Sequence, residues 1–242
     1  MQTIQSTGYP VHFQETGYIA LNGFLENKKF KTVFVLVDEN TRKECWPIFE
    51  KKIDLDIQFK IIEIKAGEIH KNLETCVDIW NSLTNLGADR KSLLINIGGG
   101  VITDMGGFVA SAFKRGIQFI NIPTTLLSMV DASVGSKTGV DLGVLKNQIG
   151  FFADPEMVLI DPIYLDTVIE KEITSGKAEI IKYGLTYDQR IWEAFLEHGN
   201  QINLKEMIHR SIEIKNEVVL EDRLEGGLRK ILNFGHTPYP ST

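Results

Sequence analysis

Leu93-Leu94-Ile95-Asn96-Ile97-Gly98-Gly99-Gly100-Val101-Ile102-Thr103-Asp104 is the stretch on which the reading of this chain turns. An apolar run breaks into three consecutive glycines and resumes, through Met105-Gly106-Gly107-Phe108, in a helix-like pattern. That order reads as strand, tight turn and helix N-terminus. Glycines let the backbone approach a phosphate closely, and the helix start offers unpaired N–H groups with a positive partial charge. Taken alone, the turn is more simply a plain βα connection. It does not stand alone. A second strand-like run, Ile117 to Ile122, ends in Pro123-Thr124-Thr125, and polar residues follow at Asp131, Ser133, Ser136, Lys137, Lys146 and Asn147.

The 242 residues are enough for one or two domains with a substantial core. Hydrophobic residues at 43% and charged residues at 24% describe an ordinary globular chain. A formal net charge of -6 argues against a general nucleic-acid binder but leaves room for local lysines to build a positive pocket. Cys45 and Cys76 show neither metal spacing nor a disulfide framework and are expected to be reduced. No apolar run approaches a membrane-spanning length and no leader-like segment opens the chain, so no membrane partner and a cytoplasmic location are expected.

Before Lys31 there are short alternating patterns such as Val11-His12-Phe13 and little else. Thr32 to Val37 reads as a buried strand ending at Asp38-Glu39-Asn40. An acid there either accepts hydrogen bonds from a ribose diol or caps a helix, and both readings stay open. Phe59 to Ile64 reads as a strand, followed by Ala66-Gly67-Glu68; His70 to Leu86 reads as a helix stopped by Gly87, and Phe108 to Phe113 lies on the helix after the glycines. Strands alternating with helices over the first ~165 residues predict a parallel sheet covered on both faces. Beyond Asp161-Pro162 helical patterns dominate: Lys171–Leu185, Arg190–His198, Leu204–Leu220 and Leu228–Phe234. The expectation is an α/β parallel-sheet, Rossmann-like domain over 1–162 and an all-helical domain over 163–242.

Glu179 and Lys182, three apart on a helix, share a face, as a plain surface ion pair also would. Arg229, Asn233 and His236, at i, i+4 and i+7, form a second stripe, which Glu225 extends by four residues. Solvated face and functional site are equal readings of it. Lys215 is ambiguous by itself. His12, His70, His198 and His209 have no partner at ligand spacing and are read as structural or surface groups.

Gly98–Asp104, Pro123–Leu127, Asp131–Gly139, Lys146-Asn147, Ser175–Gly184 and Leu232–Thr237 stand in the order found in 3-dehydroquinate synthases, members of the sugar phosphate cyclases. The resemblance runs from about Asp38 to Thr237. It implies catalytic NAD and a divalent metal, zinc first and cobalt second, acting on 3-deoxy-arabino-heptulosonate 7-phosphate to give 3-dehydroquinate and phosphate in the shikimate pathway. By resemblance Asp38, Glu39, Asn40, Glu68 and Lys71 hold the adenosine ribose. Gly99, Gly100, Val101 and Asp104 face the pyrophosphate and nicotinamide ribose, with Thr124, Thr125, Lys146 and Thr167 as further NAD contacts. Asp131, Lys137, Asn147, Lys182, Lys215, Arg229 and Asn233 bind the substrate, and Glu225 joins that catalytic group. Arg115 resembles the arginine that reaches the phosphate from a neighbouring subunit, implying a homodimer. Glu179 and His236 correspond to metal ligands, and carboxylate with imidazole suits zinc.

The departures are at the end. The family continues with a glycine and a second histidine where this chain has Tyr239 and Pro240, and two prolines cannot continue a regular helix. Two ligands fall short of the three a catalytic zinc site uses. A C-terminally truncated synthase is expected, with weak metal affinity and little turnover. Thr103 and Ser136 replace usual glycines and Asp141 a common asparagine, changes expected to be tolerated. The alternatives are a related cyclase such as 2-deoxy-scyllo-inosose synthase, a metal-dependent alcohol dehydrogenase of similar architecture, or a bare NAD-binding module.

Overall fold

β5 (Leu93–Gly98) lies at the centre of the sheet, and all six of its residues are buried. Apolar residues on both faces need cover on both sides, the environment of a central parallel strand. β5 pairs in parallel with β6 (Gln118–Pro123), from Leu93 opposite Gln118 to Gly98 opposite Pro123, and on its other edge with β3 (Thr32–Asp38), Leu94 opposite Phe34. The structure is a computed structural model and describes residues 1–30 and 32–235. Beyond β3 the sheet continues to β4 (Gln58–Ile64), and beyond β6 through β9 (Val158–Ile160) to β2 (Pro10–Phe13), all parallel. β1 (Ile4–Gln5) closes that edge in antiparallel pairing.

Alternate strand residues sort to two faces, as a period of two requires. Val33, Val35, Val37, Ile95 and Ile97 pack with α1 (Gln14–Lys28) and α3 (Trp46–Glu50), which follows the short α2 (Glu39–Glu44). Phe34, Leu36, Leu94 and Phe119 pack with α4 (Leu73–Asn85) and α5 (Gly100–Ala112). The chain leaves β3 for β4 on one side and returns to β5 on the other. The order reverses there, and the crevice at the C-terminal ends of β3 and β5 is where such sheets take their ligands. Asp38 and the triple glycine stand at its two lips.

After β9 come α6 (Glu170–Thr186), α7 (Gln189–His198) and α8 (Leu204–Glu221). They share one apolar cluster with the first face of the sheet: Ile180, Tyr183, Ile208 and Ile212 meet Leu126, Met129 and Val130. Gly176 makes that contact close, because a Cβ there would lie 2.5 Å from Leu126 Cβ.

Three parts of the chain depart from the sequence reading. α1 fills a region that reads as featureless, since Gly17 and Gly23 interrupt its pattern; Gly17 is needed because a Cβ would come within 2.8 Å of Leu159. β7 (Lys137–Leu142) and β8 (Leu145–Phe152) form a separate antiparallel hairpin laid on α5, so the sheet structure is not wholly parallel. β8 is exposed along almost its whole length and carries no alternation to betray it. Leu228–Asn233 is a 3-10 helix, not the α-helix expected. At three residues per turn, Arg229 and Asn233 do not share a stripe, and that part of the reading is corrected.

Candidate active site

A cavity of about 860 Å³ opens between the start of α5, the 128–134 turn, the hairpin, α8 and the 3-10 helix. Asp104, Asp131, Lys137, Lys146, Asn147, Lys215, Glu225, Arg229 and Asn233 all line it. These candidates come from five separate stretches of sequence.

Asp131 is the hub. Lys215, buried on α8, donates from Nζ to Asp131 Oδ1 at 2.6 Å and also to the Asp131 carbonyl. Tyr183 on α6 aims its hydroxyl at Asp131 Oδ1, 3.2 Å away, and at the Val130 carbonyl, 3.1 Å. Burial works against the Asp131 charge, but the Lys215 and Lys182 charges outweigh it and hold the carboxyl below its ordinary range. Burial pulls the Lys215 ammonium down in spite of Asp131.

One helical turn away, Lys182 pairs with Glu179 and donates to the Leu232 carbonyl. Both side chains are buried, at 7% and 8% exposure, so this is not the surface ion pair that spacing alone suggested. Burial and the Asp131 charge push the Glu179 carboxyl up, against Lys182. At the α5 end, buried Lys71 donates to Asp104 Oδ2 at 2.6 Å and to Asn147 Oδ1 at 2.7 Å. Lys71 therefore ties two cavity residues, Asp104 and Asn147, together. Burial raises the Asp104 carboxyl and Lys71 opposes it. Asn147 sits at φ 52, held there by Asp141, whose Oδ1 accepts from its backbone N–H at 2.7 Å. The Asp141 departure thus shapes the hairpin.

At the mouth, Glu225 accepts from Lys137 and, at 2.8 Å, from Asn233. Arg229 is buried and donates to the Gly135 carbonyl at 3.0 Å and the Arg223 carbonyl at 2.7 Å.

The remaining candidates border the crevice. Gly99 caps α5 with no side-chain partner, and a Cβ on it would press on Thr125 Cγ2 at 3.1 Å, so the turn presents backbone where a side chain would be crowded. Val101 and Gly100 follow it, half-buried, on the first turn. Thr124 donates from its backbone to the Gly98 carbonyl, and Thr125 Oγ1 to Ser128 Oγ. Asp38 caps α2, accepting from Thr41 N at 2.8 Å, so the capping reading holds in the structure. Glu39 accepts from Ala66 N, Asn40 is exposed, and Glu68 pairs with Lys146 at 3.0 Å. Thr167 donates to the Tyr164 carbonyl and touches Cys45. A bare glycine turn at a helix N-terminus, with an acid across the switch point, fits a dinucleotide.

Arg115 is not brought to the cavity: it is exposed at the far end of α5, about 20 Å from its start by the helical rise. His236 lies outside the described residues. Among those described, no group of three or more His, Cys, Asp or Glu side chains stands ready to hold a metal ion, so they do not by themselves form a metal site. No described helix is long and apolar enough to cross a membrane. Sequence reasoning passed over Tyr183, although it stands four residues after Glu179. It also passed over Tyr9, Asp154 and Arg223, whose partners lie too far along the chain to leave a local signal.

Sheet, crevice and charged cavity together define the fold of the sugar phosphate cyclases. 2-Deoxy-scyllo-inosose synthase complexed with carbaglucose-6-phosphate, NAD+ and Co2+ superposes with a TM-score of 0.87 at 23% identity, over 97% of this chain and 68% of that one. 2-Epi-5-epi-valiolone synthase from Streptomyces hygroscopicus, with NAD+ and Zn2+ bound, gives 0.82 at 26%, over 98% and 68%. The sequence goes further: residues 61–175 match the family profile for the 3-dehydroquinate synthase N-terminal part and 176–239 that for its C-terminal part. The chain belongs to the 3-dehydroquinate synthase family. The 3-dehydroquinate synthase of Parabacteroides distasonis is 43% identical over 221 residues, 90% of this chain and 62% of the relative. That of Sulfurovum is 50% identical over 182 residues, 74% and 52%. The chain thus spans between half and two thirds of the length of these relatives.

Proposed function

We propose that this chain carries the cofactor crevice and most of the substrate pocket of a 3-dehydroquinate synthase, a cytoplasmic lyase of the shikimate pathway converting 3-deoxy-arabino-heptulosonate 7-phosphate to 3-dehydroquinate and phosphate. The observation that carries the reading is the one cavity that gathers Asp131 and its partner Lys215 with Asp104, which stands on the helix that the triple glycine starts. In this reading residues 1–162 hold NAD, with Asp38 and Gly99 to Asp104 along its length, and 163–242 complete the substrate wall. Bound NAD supplies a hydride acceptor that later returns the hydride.

The chain's own residues do the rest. Asp131, kept ionised by Lys215, accepts from substrate hydroxyls and orients the carbon to be oxidised. Lys137, Lys215 and Arg229 donate charge-assisted hydrogen bonds to an acidic sugar, which replaces internal partners such as Glu225. Asn147 and Asn233 fix the neighbouring hydroxyls. Lys71 holds Asp104 and Asn147 together, joining the two sides of the pocket. A divalent ion, zinc by resemblance and by the zinc in the valiolone synthase, belongs to the proposal with Glu179 and His236 as ligands, but the described donors are too few to assign it a step. Arg115, remote from its own cavity, serves a second copy in a homodimer.

Calorimetric titration with NAD, then with the heptulosonate phosphate at saturating NAD, tests the reading. Both ligands are expected to bind, the second only with the first. Binding of NAD alone reduces the protein to a nucleotide-binding module, and phosphate release from glucose 6-phosphate in its place assigns it to a related cyclase.

A further inference from the structure

One carboxylate outside the ligand-facing group ties three segments of the cavity wall together. Asp154, in the loop after β8, has Arg223 Nη2 2.9 Å from each of its oxygens, and Ser136 donates its hydroxyl to Oδ1. Gly8 lies so close that a Cβ on it would come within 2.4 Å of Asp154 Oδ2. Gly135 and Ser136 both take left-handed backbone, at φ 106 and φ 62, and a serine is disfavoured there unless its surroundings hold it. The holding groups are Asp154 on its side chain, Ala153 N–H on its carbonyl at 2.8 Å, and the Tyr9 hydroxyl, which accepts from Gly135 N–H at 2.8 Å.

What this turn controls is charge placement. Lys137 follows Ser136 and sends its ammonium into the cavity. The two carbonyls that fix the Arg229 guanidinium belong to Gly135 and to Arg223, one next to Ser136 and the other the residue Asp154 grips. With Arg223 41% and Asp154 27% exposed, the pair would add little as a stabilising ion pair. Its consequence is geometric: it joins the 133–137 turn to the loop after α8.

We propose that Asp154 and Arg223 form a positioning pair that sets Lys137 and Arg229 for an acidic ligand, touching neither ligand nor cofactor. The inference rests on the reading of the cavity as the site of a sugar acid phosphate. The full chain and its Asp154→Ala, Asp154→Asn, Arg223→Ala and doubly substituted Asp154→Ala/Arg223→Ala forms are titrated calorimetrically with NAD, with the heptulosonate phosphate at saturating NAD, and with inorganic phosphate. Asp154→Ala is expected to weaken the sugar acid about tenfold, Asp154→Asn about threefold because its amide oxygen still accepts from Ser136, and NAD less than twofold in each. The double form is expected to be no worse than the weaker single one, as for residues acting as a unit. Equal loss of NAD and sugar acid, or an unchanged sugar acid affinity, overturns the proposal. If the unaltered protein takes up no sugar acid, the functional reading fails, and the tenfold loss must then appear with inorganic phosphate or the positioning pair fails with it.

Discussion

Lys215 and Asp131 show how a single pair sets both charge and stability. Asp131 is only partly shielded, at 28% exposure, whereas Lys215 is at 6%, and the carboxyl lies below its ordinary range because Lys215, with help from the Lys182 charge, outweighs its burial. A depressed acid contributes stability that is present above its unfolded value of about 3.9 and is lost as pH falls through the folded one. Replacing Lys215 with methionine reverses the sign. The carboxyl is then raised by burial, and a raised acid favours the fold below its unfolded value and loses that contribution as pH rises. Lys215→Met is expected to cost about 3 kcal/mol at pH 8 and clearly less at pH 4.5. Urea unfolding at both values checks it; a loss independent of pH would mean that Asp131 is not the group Lys215 holds.

At the scale of elements, what burial imposes on both faces could be read, and what tertiary contact alone imposes could not. β3, β5 and β6 were legible because their interiors are apolar on both faces apart from Asn96 and Asn121, and α6 to α8 because their stripes recur at helical spacing. α1, β9 and the hairpin were not, since a three-residue strand and an exposed one have no periodicity, and α1 takes its register from Leu159 and not from its own pattern. The triple-glycine turn and the Glu179–Lys182 pair could be found from spacing, while the Asp154–Arg223 link could not. Within α5 itself glycines do different work. Gly106 is packing: a Cβ would sit 2.1 Å from Asn96 Oδ1 and break its environment beside Asn121. Gly99 has φ -72 and ψ -170, which any residue adopts, so its value is access. Gly99→Ala is therefore expected to leave unfolding within about 1 kcal/mol of the parent but to weaken NAD by about tenfold or more, because backbone must meet the pyrophosphate. Gly106→Ala is expected to do the opposite, losing about 1–3 kcal/mol by overpacking with NAD affinity kept in the folded fraction. Parallel melts and NAD titrations separate the two, and equal behaviour would deny the turn its role.

For the whole molecule the question is whether the proposed division near residue 162 separates two folding units. One apolar cluster runs from Tyr9 through β5 and the 126–134 turn to Ile212 and Leu232, so the helices share the core of one sheet face, while the other face is closed by α4 and α5 within the first segment. The ion pairs add to this: Asp188, at the start of α7, is held well below the carboxylate range by Arg190 and by Arg210 of α8, which binds that helix pair together. A shared core predicts one cooperative transition. Trp46 on α3, Trp80 on α4 and Trp192 on α7 report on the two sheet faces and the helices, and single-tryptophan forms are expected to melt at one temperature. NAD at a hundred times its dissociation constant then stabilises the entire chain by about 2.7 kcal/mol, a rise of about 5–10 °C for a protein of this size. The shift must appear at Trp192, far from the crevice in sequence, as fully as at Trp46. A Trp192 signal that melts earlier and ignores NAD would show that the helices fold on their own and that the core is shared only in contact, not in cooperativity.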